Sequence, residues 1–241
     1  AVAGRFCVAP VPRTAEPSAN IIGATPLDVS ILGAVDSIRE WLEAAGFRVV
    51  SCMAMDSTLD DIGQAGSAHV NLVVSSCGLA AAELLRERFG TPWVAGVPVG
   101  EKFPAILADS LREAAKSGAN ALPCADRAFS GSDPIPAVVG EAVFSGSLAK
   151  AIELDAGRPC RVLCPLEADD RLLAPCDVRI ADEDAAADAF AHSSGVIADP
   201  MYAPVCPAET PFLRLPHEAF SGRCYRKESL NLINRPLPWR L

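Results

Sequence analysis

The chain has 241 residues, of which 50% are apolar, and its formal net charge at pH 7 is −9. A chain of this length can bury one large core or two cores of ordinary size. The negative charge argues against nucleic acid or an anionic membrane surface as the main partner. The sequence also has no uninterrupted apolar run of about 18 residues, so we predict no transmembrane helix.

The nine cysteines indicate the compartment, because their odd number and irregular spacing favour a reducing environment over a secreted disulfide framework. The first residues lack the basic and then apolar layout of a signal peptide, so we expect a cytoplasmic protein. Cys160 and Cys164 lie on a predicted strand, where four residues span about 13 Å, too far for two ligands of one zinc ion. Most cysteines are therefore predicted to be small buried residues.

The first half of the chain begins with an entry segment, residues 1–19, that includes a predicted edge strand over residues 5–8. Residues 21–22 are predicted to form a core strand that ends at Gly23. Apolar residues at helical spacing then predict an amphipathic helix that Gly46 terminates. These apolar residues are Ile31, Val35, Ile38, Leu42 and Ala45.

The alternation of strands and helices continues up to residue 117. Ser57, followed by Asp60, is predicted to cap a helix with an acidic first turn. The nearly continuous apolar run over residues 70–74 is typical of a strand that is buried on both faces of a parallel sheet. The remaining predicted elements are strands over residues 47–52 and 93–97 and helices over residues 79–89 and 103–117.

A loop over residues 118–136 separates the two halves, and we predict a first domain over residues 1–121 and a second over residues 122–241. The alternation restarts at residue 137, and an irregular tail follows residue 200. This alternation of strands and helices predicts an α/β fold with two doubly wound, Rossmann-like parallel-sheet domains in tandem. The elements predicted after residue 136 are strands over 137–139, 160–164, 177–180 and 195–198 and helices over 141–152, 167–173 and 183–191.

The loops that follow the predicted strands are the candidate site, because ligands of open α/β sheets bind beyond the carboxyl ends of the strands. Gly23 and Gly140 each follow a strand and precede a helix. Cys77 follows the strand over residues 70–74, and the N-terminus of the next helix would favour its thiolate. Cys77 is therefore either a metal or cofactor ligand or a small buried residue at a tight turn.

His217 lies in a loop rich in polar residues and glycine, unlike the other two histidines. It is either a ligand or a residue with a hydrogen-bonding or helix-capping role. Arg223, which follows Ser221 and Gly222, is a candidate for binding an anionic group. Glycine-rich nucleotide-binding motifs and the G-x-S-x-G motif are absent, so the sequence gives no direct support for nucleotide binding or serine hydrolysis.

Residues 20–100 carry several ordered motifs, namely Asn-Ile-Ile-Gly, Ile-Arg-Glu-Trp-Leu-Glu-Ala-Ala-Gly-Phe-Arg-Val, Ser-Thr-Leu-Asp-Asp-Ile, Asn-Leu-Val and Glu-Arg-Phe-Gly-Thr-Pro-Trp. This stretch resembles the nitrogenase component 1 type oxidoreductases. That superfamily includes nitrogenase molybdenum–iron subunits, their cofactor-assembly scaffolds and protochlorophyllide reductase subunits. The second half resembles the last α/β domain of the family more loosely, through residues 139–140, 197–199 and 217–222.

The resemblance implies a nitrogenase-like fold with a metal cluster or a tetrapyrrole in the cleft between two α/β domains. In the family, a cysteine after the Asn-Leu-Val strand ligates the cluster; Ser75 occupies that position here, and Cys77 lies two residues later. The second family ligand is a histidine before an aromatic-Ser-Gly step, and His217 lies one residue closer to that step. The resemblance implies Cys77 and His217 as metal ligands. The implied cofactor-binding set is Cys77, His217, Gly23, Gly140 and Arg223.

The resemblance further implies an iron–sulfur or mixed metal cluster, or a tetrapyrrole, as the cofactor. The implied electron donor is an ATP-dependent iron–sulfur reductase, within a homo- or hetero-oligomer. Family members carry an additional domain with an interface iron–sulfur cluster, and this chain begins where their second domain begins. Two other hypotheses stay open: a non-catalytic scaffold or carrier for a metallocofactor, and a two-lobed protein that binds a solute or a metal chelate.

Overall fold

The structure, a computed structural model, describes residues 2–7, 11–27, 33–222 and 224–239. It contains two β-sheets with parallel strand pairing, one from each half of the chain. Helices connect most successive strands, so the predicted α/β class with two parallel sheets in tandem is confirmed. Within the described ranges, no helix combines the length and the apolar character that crossing a bilayer requires.

The first sheet lies in the first half of the chain. Its strands are β1 (Ser18–Ile22), β2 (Arg48–Cys52), β3 (Val70–Val73) and β4 (Trp93–Ala95). The helices of this half are α1 (Val2–Phe6), α2 (Ala34–Ala44), α3 (Leu59–Gly63), α4 (Leu79–Phe89) and α5 (Phe103–Ser117). The strand order is β2-β1-β3-β4, and β1 and β3 are buried along their whole length. Full burial is what central strands covered on both faces require.

The amphipathic pattern of α2 sets how this helix packs. Val35, Ile38 and Leu42 are buried on one face. Gly46, at φ 89°, then turns the chain towards β2, a backbone conformation that glycine adopts readily. The predicted helix is confirmed from Ala34 onward, and Ile31 lies outside the described residues.

The edge strand predicted over residues 5–8 is wrong, because residues 2–6 form the helix α1. Arg88 on α4 donates hydrogen bonds to the carbonyl oxygens of Gly4 at 3.1 Å and Cys7 at 2.9 Å. These bonds satisfy carbonyl groups that the end of a short helix leaves without intrahelical partners. The helix therefore depends on contacts with a distant segment. Val8 lies outside the described residues.

The helix cap predicted at Ser57 is also wrong, because Thr58 caps α3. The Thr58 hydroxyl accepts from the Asp61 backbone N–H, and the Asp61 carboxylate accepts from the Thr58 N–H, which forms a capping box. The Ser57 hydroxyl instead accepts from the Cys52 N–H at 2.7 Å. Ser57 therefore stabilises the turn after β2.

The second sheet lies in the second half of the chain. Its strands are β5 (Ala137–Val139), β6 (Arg161–Cys164), β7 (Val178–Arg179), β8 (Val196–Ala198) and β9 (Phe212–Arg214). The helices are α6 (Ala142–Ala156), α7 (Glu183–Ala191) and α8 (Glu218–Ser221), and the helix predicted over residues 167–173 is one turn of 3-10 helix, Asp170–Leu172. The strand order is β7-β6-β5-β8-β9. Strand β9 lies in the segment that we predict to be irregular.

Helix α6 carries much of the junction between the two halves. The Ser147 hydroxyl accepts from the Val97 N–H at 2.9 Å. The Asp155 carboxylate accepts from the N–H groups of Glu101 at 2.9 Å and Lys102 at 3.1 Å. One cluster of buried apolar side chains includes residues of both halves. The division into domains 1–121 and 122–241 stays a prediction.

The C-terminal tail returns to the first half of the chain. Ile233 forms an antiparallel bridge with Val99, and the Asn234 N–H donates to the Pro98 carbonyl at 2.6 Å. The Asn231 side chain donates to the Ser37 hydroxyl at 2.9 Å. These contacts place the last described residues against the first sheet and α2.

Candidate functional site

Each sheet has one place where the order of the strands reverses. In the first sheet, the chain places β2 on one side of β1 and then β3 on the other side, so the reversal lies between β1 and β3. In the second sheet, β6 lies on one side of β5 and β8 on the other side, so the reversal lies between β5 and β8. Such a reversal opens a crevice beyond the carboxyl ends of the two strands, which is the usual ligand site of an open α/β sheet. Four of the predicted site residues lie at these two reversals.

At the first reversal, the structure brings Gly23 and Cys77 together. The Ser75 hydroxyl donates to the Gly23 carbonyl at 2.9 Å, and it lies 2.9 Å from the Cys77 sulfur. The Cys77 thiol also lies 3.7 Å from the Gly23 carbonyl. Cys77 is exposed, which excludes a fully buried cysteine and leaves its thiol accessible at the carboxyl end of β3.

The turn that carries Cys77 packs directly on the end of β1. A Cβ at Gly78 would lie 2.8 Å from the carbonyl group of Ile22, and a Cβ at Gly23 would lie 2.9 Å from the Ser75 carbonyl oxygen. Gly23 also has φ 93°, which favours glycine. Glycine at both positions therefore permits the close approach of two backbone segments at the reversal.

Cys77 lies on the rim of two cavities. The larger has a volume of about 630 Å³ and is lined by the end of β1, the loop after β2 and residues of α1, α3 and α4. Its lining includes Ile22, Met53, Leu59 and Leu84. Its walls are mostly apolar side chains and backbone. This volume lies within the range of roughly 300–1,000 Å³ that is typical of small-molecule sites.

The second cavity at Cys77 is a polar groove of about 490 Å³ between the two halves, with Glu167, Asp169 and Arg179 in its wall. Hydrogen bonds from Arg171 lower the pKa of Asp169 to about 2. Asp170, beside this groove, pairs with Arg179 at 2.7 Å. The groove therefore holds fixed charges of both signs, in contrast to the apolar cavity on the other side of the thiol.

At the second reversal, the structure brings Gly140 and His217 together around a small cavity of about 20 Å³. The Asp199 carboxylate accepts from the His217 backbone N–H at 2.7 Å. The His217 ring nitrogen Nδ1 accepts from the Ala219 N–H at 3.2 Å and so caps α8. Its ring also lies edge-on to Phe220, with centroids 5.5 Å apart. His217 therefore has the helix-capping role that was one of its two predicted interpretations.

Glu141, which is not among the site residues predicted from the sequence, connects the two reversals. The Ser76 N–H donates to Glu141 Oε1 at 2.7 Å, and Glu141 is only 7% exposed. Burial raises the pKa of this carboxyl group, although hydrogen bonds from the backbone of Phe144, Ser76 and Val143 oppose the shift. The available signal was an acidic residue directly after a strand-end glycine and at the start of an apolar helix.

Comparison with known proteins shows the family. The profile described as "Nitrogenase component 1 type Oxidoreductase" matches residues 2–121. Residues 2–121 belong to the nitrogenase component 1 type oxidoreductase family. This domain contains the first reversal, with Gly23 and Cys77.

Two relatives of this nitrogenase component 1 type domain illustrate the range of the family. A light-independent protochlorophyllide reductase subunit of Prosthecochloris aestuarii is 34% identical over 92 residues, which cover 38% of this chain and 17% of that protein. The nitrogenase molybdenum–iron protein alpha chain of Azospirillum brasilense is 32% identical over 112 residues, which cover 44% of this chain and 22% of that protein. The matched region thus spans about a fifth of each of these relatives.

A solved structure, "Nitrogenase Cp1 at pH 5", extends the likeness in fold to the second half. It aligns with a TM-score of 0.54 and 13% identity, over 93% of this chain and 56% of that chain. At this identity the likeness concerns the fold alone. The two sheets in tandem are therefore a nitrogenase-like arrangement.

The described side chains do not assemble the metal centre that the family resemblance implies. Cys77 and His217 line different cavities, and the described residues contain no group of three or more His, Cys, Asp or Glu side chains placed to hold a metal ion. Arg223 lies outside the described residues. Among the residues that the structure describes, the geometry does not fit a metal ion held by three side chains, and the roles of Cys77 and His217 as ligands stay predictions.

Most other cysteines have the structural role that the sequence predicts. Five of the nine are buried. Burial raises the pKa of Cys52 to about 11 and the pKa values of Cys124 and Cys160 to about 12. These thiols are protonated near neutral pH and behave as small apolar residues.

Proposed function

We propose that this chain forms the ligand-binding part of a nitrogenase component 1 type oxidoreductase whose ligand is a tetrapyrrole. The observation that carries the proposal is the apolar cavity of about 630 Å³ at the first reversal, with the Cys77 thiol on its rim. A cavity of this size and character matches a flat, largely apolar macrocycle. The name of the relative from Prosthecochloris aestuarii, which is a light-independent protochlorophyllide reductase, points to the same ligand class.

A tetrapyrrole fits the described side chains better than a metal cluster does. Iron–sulfur clusters are held by several cysteine thiolates, and the described residues supply no group of three or more metal-ligating side chains. The apolar cavity instead offers aliphatic and thioether contacts from Met53, Leu59 and Leu84. Methionine sulfur packs favourably against aromatic rings, so the lining suits a conjugated macrocycle.

The residues of this chain would bind and orient the ligand. Burial of apolar macrocycle surface against Leu59 and Leu84 supplies affinity at roughly 25 cal/mol per Å² of buried area. Gly23, without a side chain, lets the ligand approach the backbone at the end of β1. Cys77 presents a weak hydrogen-bond donor at the rim. An ATP-dependent iron–sulfur reductase partner would supply the electrons, within a homo- or hetero-oligomer.

A titration with zinc protoporphyrin, followed by absorption and fluorescence, tests the proposal. We expect saturable binding with one macrocycle per chain. Ala80 on α4 is exposed and lines the cavity, so Ala80→Trp fills the cavity and should weaken binding at least tenfold. The matched control is Ala105→Trp, an exposed alanine on α5 away from this cavity, which should bind like the wild type.

Two results would overturn the proposal. One is the absence of saturable binding by the wild type, and the other is an equal effect of the two tryptophan substitutions. Iron and acid-labile sulfide should be measured in the same anaerobic preparation. Stoichiometric iron and sulfide without macrocycle binding would replace the tetrapyrrole with a metal cluster and would favour a cluster enzyme or scaffold.

A further inference from the structure

Glu141 is a buried carboxylate that accepts hydrogen bonds from both halves of the chain. Within the second half, it caps α6 by accepting from the Val143 N–H at 3.1 Å and the Phe144 N–H at 2.9 Å. From the first half, it accepts from the Ser76 N–H at 2.7 Å. A carboxylate has two oxygens with about four lone-pair directions, so one side chain can accept all three donors.

Ser76 directly precedes Cys77, so the bond to Glu141 acts on the turn that carries the thiol. On its other side, the same turn packs against the backbone of Ile22 and Gly23, where a Cβ at Gly78 would lie 2.8 Å away. The turn is therefore held by its own sheet on one side and by the second half of the chain on the other.

We propose that Glu141 is a positioning residue for Cys77, through which the second half of the chain holds the thiol at the rim of the apolar cavity. The inference rests on the proposed function for the identity of the ligand in that cavity. The positioning role itself is argued from the hydrogen bond between Glu141 and Ser76 and does not depend on which ligand the cavity binds.

The length of the Glu141 side chain separates its two roles. Aspartate is an effective helix cap, so Glu141→Asp keeps a charged cap on α6. Its side chain is shorter by one methylene group and should not reach the Ser76 N–H. Glu141→Asp should therefore release the turn at Cys77 while the helix stays capped.

The experiment measures the rate of alkylation of Cys77 by iodoacetamide in the folded chain, resolved by peptide mass spectrometry. Cys224, the other exposed cysteine, is the internal control. For Glu141→Asp we expect a change of at least fivefold in the rate at Cys77 and less than twofold at Cys224. Ser147→Ala removes a different bond between the halves, to Val97, and should leave both rates unchanged.

Ser76→Pro tests the same bond from the donor side. It removes both the N–H and the hydroxyl that Ser76 offers to Glu141. The extended backbone of Ser75, at φ −154° and ψ 160°, is compatible with a following proline. This variant should change the Cys77 rate as Glu141→Asp does. A rate within twofold of the wild type in both variants would overturn the inference. If only one variant folds, the rate of Cys77 alkylation in that variant decides whether the inference stands.

The two proposals fail separately. If the wild type does not bind zinc protoporphyrin but Glu141→Asp changes the Cys77 rate, the tetrapyrrole is wrong and the positioning role stands. If the wild type binds the macrocycle and both variants leave the Cys77 rate unchanged, the positioning role is wrong and the tetrapyrrole stands.

Discussion

Two of the buried carboxylates in the second half of the chain, Asp177 and Glu141, are stabilised in different ways. Asp177 forms a salt bridge with Arg127 at 2.6 Å, with side-chain exposures of 0% and 2%. It also accepts from the N–H groups of Val162 and Ala174, each at 2.7 Å. Glu141 accepts from backbone N–H groups, and the ion pairs found among the described residues do not include it.

The difference shows what each carboxylate does. Both members of the Asp177–Arg127 pair lie in the second half. Arg127 also donates hydrogen bonds to the carbonyl oxygens of Cys124 and Cys160. The pair therefore stabilises segments that contain no candidate site residue. Glu141 reaches the turn at Cys77. A charge balanced by neutral hydrogen-bond donors, here backbone N–H groups and the Ser76 side chain, is more sensitive to its surroundings than a charge paired with a guanidinium group. The paired carboxylate is structural, whereas the unpaired one connects two parts of the candidate site.

The largest effect is expected for Asp177→Ala, which leaves the Arg127 guanidinium buried without its counter-ion. Removing one partner of a buried pair costs about 3–5 kcal/mol of the free energy of unfolding, which urea denaturation measures. The control is Asp170→Ala, which removes the ion pair between Asp170 and Arg179. The Asp170 side chain is 92% exposed. Pairs of this kind contribute about 0–1 kcal/mol. Equal losses in the two variants would contradict the distinction between buried and exposed pairs.

A smaller effect is expected for Gly23→Ala, which tests how rigid the region around Glu141 is. Gly23 and Gly46 have similar φ values, 93° and 89°. A Cβ at Gly23 would meet Ser75, whereas a Cβ at Gly46 would meet no atom within 4 Å. Both alanine variants carry the backbone strain, and Gly23→Ala adds overpacking of about 1–3 kcal/mol.

The difference between the two free energies of unfolding isolates that overpacking. Gly23→Ala should also change the rate of Cys77 alkylation, because it displaces the Ser75–Gly78 turn, and Gly46→Ala should not. Equal stabilities of the two variants would show that the turn moves freely away from β1.

The smallest effect is the pH dependence that Glu141 contributes. Burial raises its folded-state pKa above the ordinary value of 4.5. The unfolded chain therefore loses this proton at lower pH than the folded chain, and the contribution of Glu141 to stability is complete below about pH 4.5 and falls as the pH rises through the folded pKa. The glutamine side chain in Glu141→Gln does not ionise, so this variant serves as the reference.

The free energy of unfolding of the wild type, relative to Glu141→Gln, should consequently decrease between pH 4.5 and pH 7.5. Urea denaturation at several pH values measures this difference. Cys124 and Cys164 lie near Glu141, and burial raises the pKa of both thiols, so they stay protonated over this range. A difference that is independent of pH would contradict a raised pKa of Glu141 and would show that its hydrogen-bond donors fully offset the effect of burial.

The sequence predicts the parts of the fold that local periodicity encodes. The apolar stripe of α2 and the apolar run of β3 correspond to buried faces. Parallel strands end at the same edge of a sheet, so ligand sites are expected in the loops after the strands. This rule selects Gly23 and Cys77, and the structure places them close together. The rule also selects the loop at Gly140, but it does not select His217, which follows the unpredicted strand β9 and lines the same cavity as Gly140.

The errors and omissions depend on partners that are distant in sequence. Helix α1 is held by Arg88, more than 80 residues away. Strand β9 has three residues and pairs with β8 after a Pro-rich segment, so periodicity gives it no signal. The site role of Glu141 depends on Ser76, 65 residues earlier, and a single sequence contains no record of that contact.

The return of the tail to the first half has a consequence for the order of synthesis. The chain leaves the ribosome from its N-terminus, and the strands of the first sheet are complete once residue 95 has emerged. Val99 receives its bridge from Ile233, and Pro98 receives its hydrogen bond from Asn234. The half that carries the family match is therefore translated before the second half, but it acquires its last described contacts only after residues 233 and 234 have emerged.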